Sequence, residues 1–246
     1  MASVLSGYKR FLAVGCSHGH LADPKALETV LRFQRIFKPQ VRIHLGDFTD
    51  QAAFRSGAPG TKDETTSIAD DLTHGLNFLR ELKPTILLNG NHEIRLWKLA
   101  DHHNEIVARA ASSVITEIRD TVEKLKCQYV EHYDITRSWV DLGDLRLLHG
   151  FMYNENAIRD HAEHFGRCLI AHLHTVGEAA ARRSDHARAY CVGTLANIPS
   201  MSYALTRRAT ARWSHGFAYG ETNGKDTHVW LSQGTANTPG GWRLPL

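Results

Sequence analysis

The feature that most constrains this chain is a short apolar run, repeated five times, that ends each time in side chains of the kinds that bind metal ions. The endings are, in order, Cys16-Ser17-His18, Gly46-Asp47-Phe48-Thr49-Asp50, Gly90-Asn91-His92-Glu93, His149-Gly150 and His172-Leu173-His174. The runs before them, 11–15, 41–45, 85–89, 145–148 and 168–171, read as short buried strands. In an α/β sheet the loops that leave the carboxyl ends of the strands converge on one edge, where ligands bind. Residues as far apart in sequence as Cys16 and His174 can therefore meet.

The segments between the runs fit that alternation. After Pro24, residues Leu27, Val30, Leu31, Phe33, Ile36 and Phe37 recur at near-helical spacing until Pro39 stops them. A polar loop with Gly57, Pro59 and Gly60 leads into a helix predicted over 63–82, whose Ile68, Leu72, Leu76 and Leu79 share a face. Residues 93–126 read as helical, with a break at Asp101, His102, His103 and Asn104. That length exceeds what a crossover needs, so the segment is a cover for the site, a homodimer surface or, most simply, a packed helical layer. Strands are predicted at 128–131 and 137–142, then Gly143-Asp144 as a hairpin turn. A short helix at 154–164 and strands at 187–192, 215–219 and 227–231 follow, with a loose tail over 234–241.

Composition sets limits. With 42% apolar residues among 246, the chain can bury a full core, and the spread of the five endings argues for one domain over 1–246. Lysine and arginine total 29 against 26 acidic residues, without a long basic run, which disfavours nonspecific nucleic-acid binding by a tail. The four cysteines, Cys16, Cys127, Cys168 and Cys191, lie far apart, which indicates neither a disulfide framework nor a zinc ribbon. No secretory pattern or membrane span is read, so the expected location is the cytoplasm, or a host cytoplasm for a phage-encoded protein.

Taken together, the five endings resemble the signature of the calcineurin-like metallophosphoesterases, usually DxH, GDxxD, GNHE or GNHD, a lone His, and GHxH. The resemblance runs from about residue 11 to 175, with Cys16 where the family usually has Asp and Ala171 where it usually has Gly. It implies a four-layer αββα sandwich with a helical segment after the third motif. It implies two divalent transition-metal ions bridged by Asp47, with Cys16, His18 and His174 completing one site and Asn91, His149 and His172 the other. His92 is implied as general acid, opposite a metal-bridging hydroxide that attacks phosphorus. A donor set of nitrogen and oxygen with one sulfur suits Mn, Fe or Zn better than Mg or Ca.

Cys16 leaves two readings open: a thiolate ligand, or a small buried hydrophobe beside a weak first site. The same replacement occurs in RNA lariat-debranching enzymes, whose first motif Gly15-Cys16-Ser17-His18-Gly19 resembles. The chain is short, lacks a match to their extended C-terminal part, and looks in its later motifs like compact bacterial and phage phosphoesterases. The ligand chemistry is carried over and the lariat substrate is not.

Around these residues, Asp50 either orients a ligand or caps a turn, and Glu93 is expected to stabilise a helix N-terminus. Arg95 and His20 are candidate substrate-binding residues, Arg95 because a guanidinium fork matches phosphate. Tyr153 and Asn154 could line the same edge. Arg207, Arg208, Arg212 and Trp213 form a modest basic and aromatic patch, for which solvated charge beside a core tryptophan is the preferred reading. The function expected is a phosphodiesterase on a nucleotide or nucleic-acid substrate. The alternatives are a phosphomonoesterase or protein phosphatase with the same metals, and a catalytically silent binding module, which the retention of His92 disfavours.

Overall fold

The computed structural model describes residues 7–201 and 208–234, with Trp242 and Leu244. Strands β1 (Lys9–Val14), β2 (Val41–His44), β3 (Ile86–Leu88) and β4 (Gln128–Val130) lie parallel, side by side in that order. The hairpin β10 (His215–Thr222) and β11 (Thr227–Gly234) extends this sheet antiparallel to β1. A second sheet has the order β5 (Trp139–Leu142), β6 (Leu145–Leu148), β7 (Cys168–Ile170), β9 (Ser184–Val192) and β8 (Val176–Ala181).

The strands are apolar on both faces because both faces are covered. Phe11, Ala13, Ile43, Leu45 and Leu88 of the first sheet pack against Leu145, Leu147, Leu169 and Val192 of the second. On the outer face of the first sheet, Leu12, Val14 and Phe217 meet Val30 and Phe33 of α1 (Pro24–Phe37) and Phe78 and Leu82 of α2 (Ile68–Leu82). Leu72, Leu76 and Leu79 of α2 continue onto Ile115, Ile118 and Val122 of α4 (Glu105–Lys124). On the outer face of the second sheet, Ala162 and Phe165 of α5 (Ala157–Phe165) cover Leu148, Cys168 and Ile170. The layers are helix, sheet, sheet, helix, as expected for the αββα sandwich.

Local chemistry sets the helix ends. The Asp23 carboxylate accepts from the N–H groups of Lys25 and Ala26, Pro24 opens α1, and Lys38 closes it in a left-handed conformation. The helix expected from residue 63 begins at Ile68 instead: Lys62–Thr65 form a separate 3₁₀ turn capped by Thr61, and Ser67 caps α2. The predicted break between helices is present, with Asn104 accepting from Ile106 and Val107 after α3 (Ile94–Ala100). The helix expected from residue 154 starts at Ala157, after a turn in which Asn156 N–H bonds to Asn154. β8 was not anticipated, since Val-Gly-Glu-Ala-Ala-Ala offers no clear alternation and only one branched side chain, Val176. Most of the expected tail, 235–241, and Arg207 lie outside the described residues. Among the described residues no helix is long and apolar enough to cross a membrane.

Candidate metal centre

The five endings leave the carboxyl ends of β1, β2, β3, β6 and β7 and meet where the two sheets face each other. Backbone bonds tie the loops together: Cys16 N–H to Gly46 O at 2.9 Å, His18 N–H to Asp47 O at 3.0 Å and Ala171 N–H to His149 O at 2.9 Å. Cys16, His18, Asp47, His172 and His174 all hold left-handed backbone conformations, with φ from 52 to 58°. For residues other than glycine this costs about 1 kcal/mol or more each, and such strain gathers at functional sites.

Two overlapping clusters result. One ligand atom each from Cys16, His18, Asp47 and His174 lies within 4.8 Å of the others, and the same holds for Asp47, His149 and His172. Asp47 belongs to both. Asn91 Oδ1 joins the second cluster, 3.1 Å from His149 Nε2 and 2.8 Å from His172 Nδ1. His18 Nε2 faces His174 Nε2 at 3.0 Å, and His149 Nε2 is 3.2 Å from Asp47 Oδ2. Convergent imidazole nitrogens repel unless a proton or cation lies among their lone pairs, and His174 Nδ1 is buried without a hydrogen-bond partner. Burial, with His149 adding to it, lowers His172 to about 3, and burial with His18 holds His174 well below the ordinary range, so both rings are neutral donors. Burial opposes charge on Asp47, yet His149, His92 and His18 outweigh it and keep the carboxyl well below its usual range. Neutral imidazoles around an ionised carboxylate fit divalent cations.

Cys16 is fully buried, and its Sγ accepts the His172 N–H at 3.2 Å. Burial, and then the Asp47 charge, pushes its thiol well above the ordinary value, so without a cation the sulfur stays protonated.

A third cluster joins His18, Asp50 and His92. Asp50 Oδ1 lies 2.8 Å from His18 Nδ1 and 3.2 Å from His92 Nδ1, and the Asp50 carbonyl oxygen lies 2.5 Å from His92 Nδ1. Of the two readings of Asp50, the structure shows the orienting one. His92 Nε2 is left 3.8 Å from Asp47 Oδ2. Burial lowers the pKa of His92, but the charges of Asp47 and Asp50 prevail and raise it to about 9.

Glu93 does more than the helix-end role expected of it. It is fully buried and accepts from Asp47 N–H at 2.8 Å, Thr49 N–H and Oγ1–H at 2.9 Å and Gly90 N–H at 2.9 Å. It therefore fastens the second loop to the third. The buried Asp71 carboxylate does the same for the next turn, accepting from the N–H groups of Asp50 and Gln51. Neither strut was anticipated, because most of the partners are backbone amides, which leave no mark in a sequence. Gly90 sits in the same junction: a Cβ there would be 2.7 Å from both Asp47 N and His149 Cε1, and in hard contact with the Asp47 carboxylate. Gly90→Ala is expected to destabilise the fold by about 1–3 kcal/mol and to lower metal content, read by urea denaturation and metal analysis.

A cavity of about 720 Å³ opens over the clusters, with Asp47, Asn91, His92, His172 and His174 at its base. Arg95 lines it, its Nη1 donating to the carbonyls of Asp50 at 2.9 Å and Gln51 at 3.2 Å. Tyr153 and Asn154 line it as well. His20, the other candidate substrate-binding residue, does not: its ring pairs with Asp71 at 2.9 Å beside a second cavity of about 350 Å³. Arg212 and Trp213 stand on the wall of the main cavity, Trp213 packing 4.3 Å from the His174 ring between centroids. Of the preferred sequence reading, the solvated charge holds at Arg212, which is exposed, while the core tryptophan is corrected: Trp213 is only partly buried and faces the cavity.

The calcineurin-like phosphoesterase family matches residues 9–196, and the chain belongs to it. Its buried histidine and aspartate clusters fit the metal-dependent hydrolysis of phosphoesters for which that family is named. Solved structures similar to it include a metallophosphoesterase from Sphaerobacter thermophilus, 16% identical over 91% of this chain and 88% of that one, with a TM-score of 0.49. A protein from Streptococcus pneumoniae described as a predicted phosphoesterase is 14% identical over 93% and 91%, with a TM-score of 0.41. The phosphoesterase Yfce of E. coli is 16% identical over 86% and 87%, with a TM-score of 0.35. No curated protein matches the chain.

Proposed function

We propose that the protein is a phosphodiesterase acting on a nucleotide or nucleic-acid substrate through a pair of divalent transition-metal ions. The observation that carries the two-ion reading is Asp47, shared by two clusters whose candidate ligand atoms each lie within 4.8 Å of one another. Cys16, His18 and His174 would complete the first site with it, and Asn91, His149 and His172 the second. Bound there, Mn, Fe or Zn would supply a water nucleophile at neutral pH and positive charge against the phosphoryl oxygens.

The remaining roles belong to the chain itself. His92 is the general acid: its Nδ1 is held by Asp50, and a pKa raised to about 9 keeps a proton for the leaving oxygen. Arg95, fixed by two carbonyls, offers its other nitrogens to a non-bridging phosphate oxygen. A diester is favoured over a monoester by the cavity volume of about 720 Å³, which exceeds what a phosphate with a single small substituent would fill. The test compares a dinucleotide, a cyclic nucleotide, a nucleoside monophosphate and a phosphopeptide at equal metal loading. Diester turnover well above the other two is expected; the reverse order would replace this reading with the monoesterase one.

Cys16 decides the metal preference. A thiolate at the first site selects Zn or Fe over Mn, so Cys16→Ser should weaken the first metal more than the second, and Cys16→Asp should shift preference toward Mn. Metal stoichiometry measured under reducing conditions would remove Cys16 from the site if it stayed constant across the three proteins.

A further inference from the structure

The family match ends at residue 196, yet one wall of the cavity is built from residues beyond it. Just before β10 the chain lies beside the centre, where Ser214 N–H bonds to His174 O at 2.8 Å and Thr194 N–H bonds to Ser214 O at 3.1 Å. These bonds place Thr210, Arg212 and Trp213 over the clusters. The residues that hydrolyse and the residues that form this wall thus come from separate parts of the sequence.

The wall is chemically unlike the base. Trp213 is only partly buried, and Ile158 and Leu173 add apolar surface to the cavity lining. Tyr153, also in the lining, is 85% exposed. Arg212 is exposed and has no ion-pair or hydrogen-bond partner among the described residues. A phosphate alone would occupy a small part of 720 Å³ and leave this aromatic and apolar surface wet. The ligand that matches all of it carries a flat aromatic group and anionic charge together.

We propose that this wall is a nucleobase subsite, with Trp213 as the stacking face and Arg212 as the cation beside it, so that the substrate is a nucleotide diester held by one base. The assignment deepens the diesterase reading and rests on it for the reaction, though not for the binding. Aromatic stacking tolerates any base, so the subsite selects for a nucleotide without selecting its sequence. Oligonucleotides would enter through a single base at the cavity and gain little from length.

Binding of products tests this apart from turnover. The Mn-loaded protein is titrated with adenosine 5′-monophosphate, ribose 5-phosphate and inorganic phosphate by calorimetry. Adenosine 5′-monophosphate is expected to bind at least about 10-fold more tightly than ribose 5-phosphate, as stacking of one base allows. Trp213→Leu should erase that difference and leave inorganic phosphate affinity unchanged, while Trp213→Phe should keep most of it. Equal affinity of the two sugar phosphates in the unaltered protein would overturn the subsite, as would full discrimination in Trp213→Leu. Loss of inorganic phosphate binding in Trp213→Leu would also overturn it, showing that the ring acts through His174. Base discrimination without any diester hydrolysis would keep the subsite and reject the diesterase reading.

Discussion

Asp47→Asn is expected to lower the content of both metal ions together and to take hydrolysis to background. The carboxylate lies in both clusters, is 1% exposed, and is held ionised by His149, His92 and His18. An amide keeps the shape and removes the charge, so two cations would share a site with histidine, asparagine and one thiol, and nothing anionic between them. The backbone geometry should survive, because the loop is fastened by Glu93 through the Asp47 and Thr49 amides and not by the Asp47 side chain alone. Metal analysis after gel filtration, with circular dichroism as a check on folding, measures the outcome. One full equivalent of metal retained in Asp47→Asn would show that the two clusters bind independently.

His92→Ala separates chemistry from metal binding. His92 belongs to neither of the two clusters that contain Asp47, and its Nδ1 is occupied by the Asp50 carbonyl and carboxylate. The expected result is near-normal metal content with a chemical step slower by roughly 10²–10⁴-fold, the range typical of a lost general acid. A substrate with an activated leaving group, which needs no proton, should lose much less. Metal loss equal to that of Asp47→Asn would instead make His92 a ligand.

How much of each residue's role shows in the sequence depends on the kind of partner it has. The strands of the centre were legible because they are buried on both faces and therefore apolar throughout, as in Phe11-Leu12-Ala13-Val14, where every side chain is at 0% exposure. The loops after them were legible because metal-binding side chains are rare at strand ends and five in order do not arise from turn chemistry. β8 was not legible: three consecutive alanines carry no period, and the strand exists because β9 offers it hydrogen bonds along an edge. The start of α2 was misplaced because Asp63 and Glu64 suit a first helical turn, yet Arg55 holds Asp63 in a turn of its own.

The sequence by itself determined the alternating α/β organisation and the set of polar side chains gathered at one edge, since burial pattern and residue type are local properties; the αββα layering was implied by the family resemblance those side chains carry. Only the tertiary structure decided how that set is held and what surrounds it. Asp50 could cap or orient until His18 and His92 were brought to its carboxylate. Glu93 could serve its own helix until the second loop's amides were turned toward it. Trp213 could be a core residue until the turn before β10 set it beside His174 at the cavity. In each case the deciding partner is distant in sequence, and often a backbone amide or carbonyl. Every residue carries those groups, so residue identity cannot encode the pairing, and it exists only once the sheets have packed.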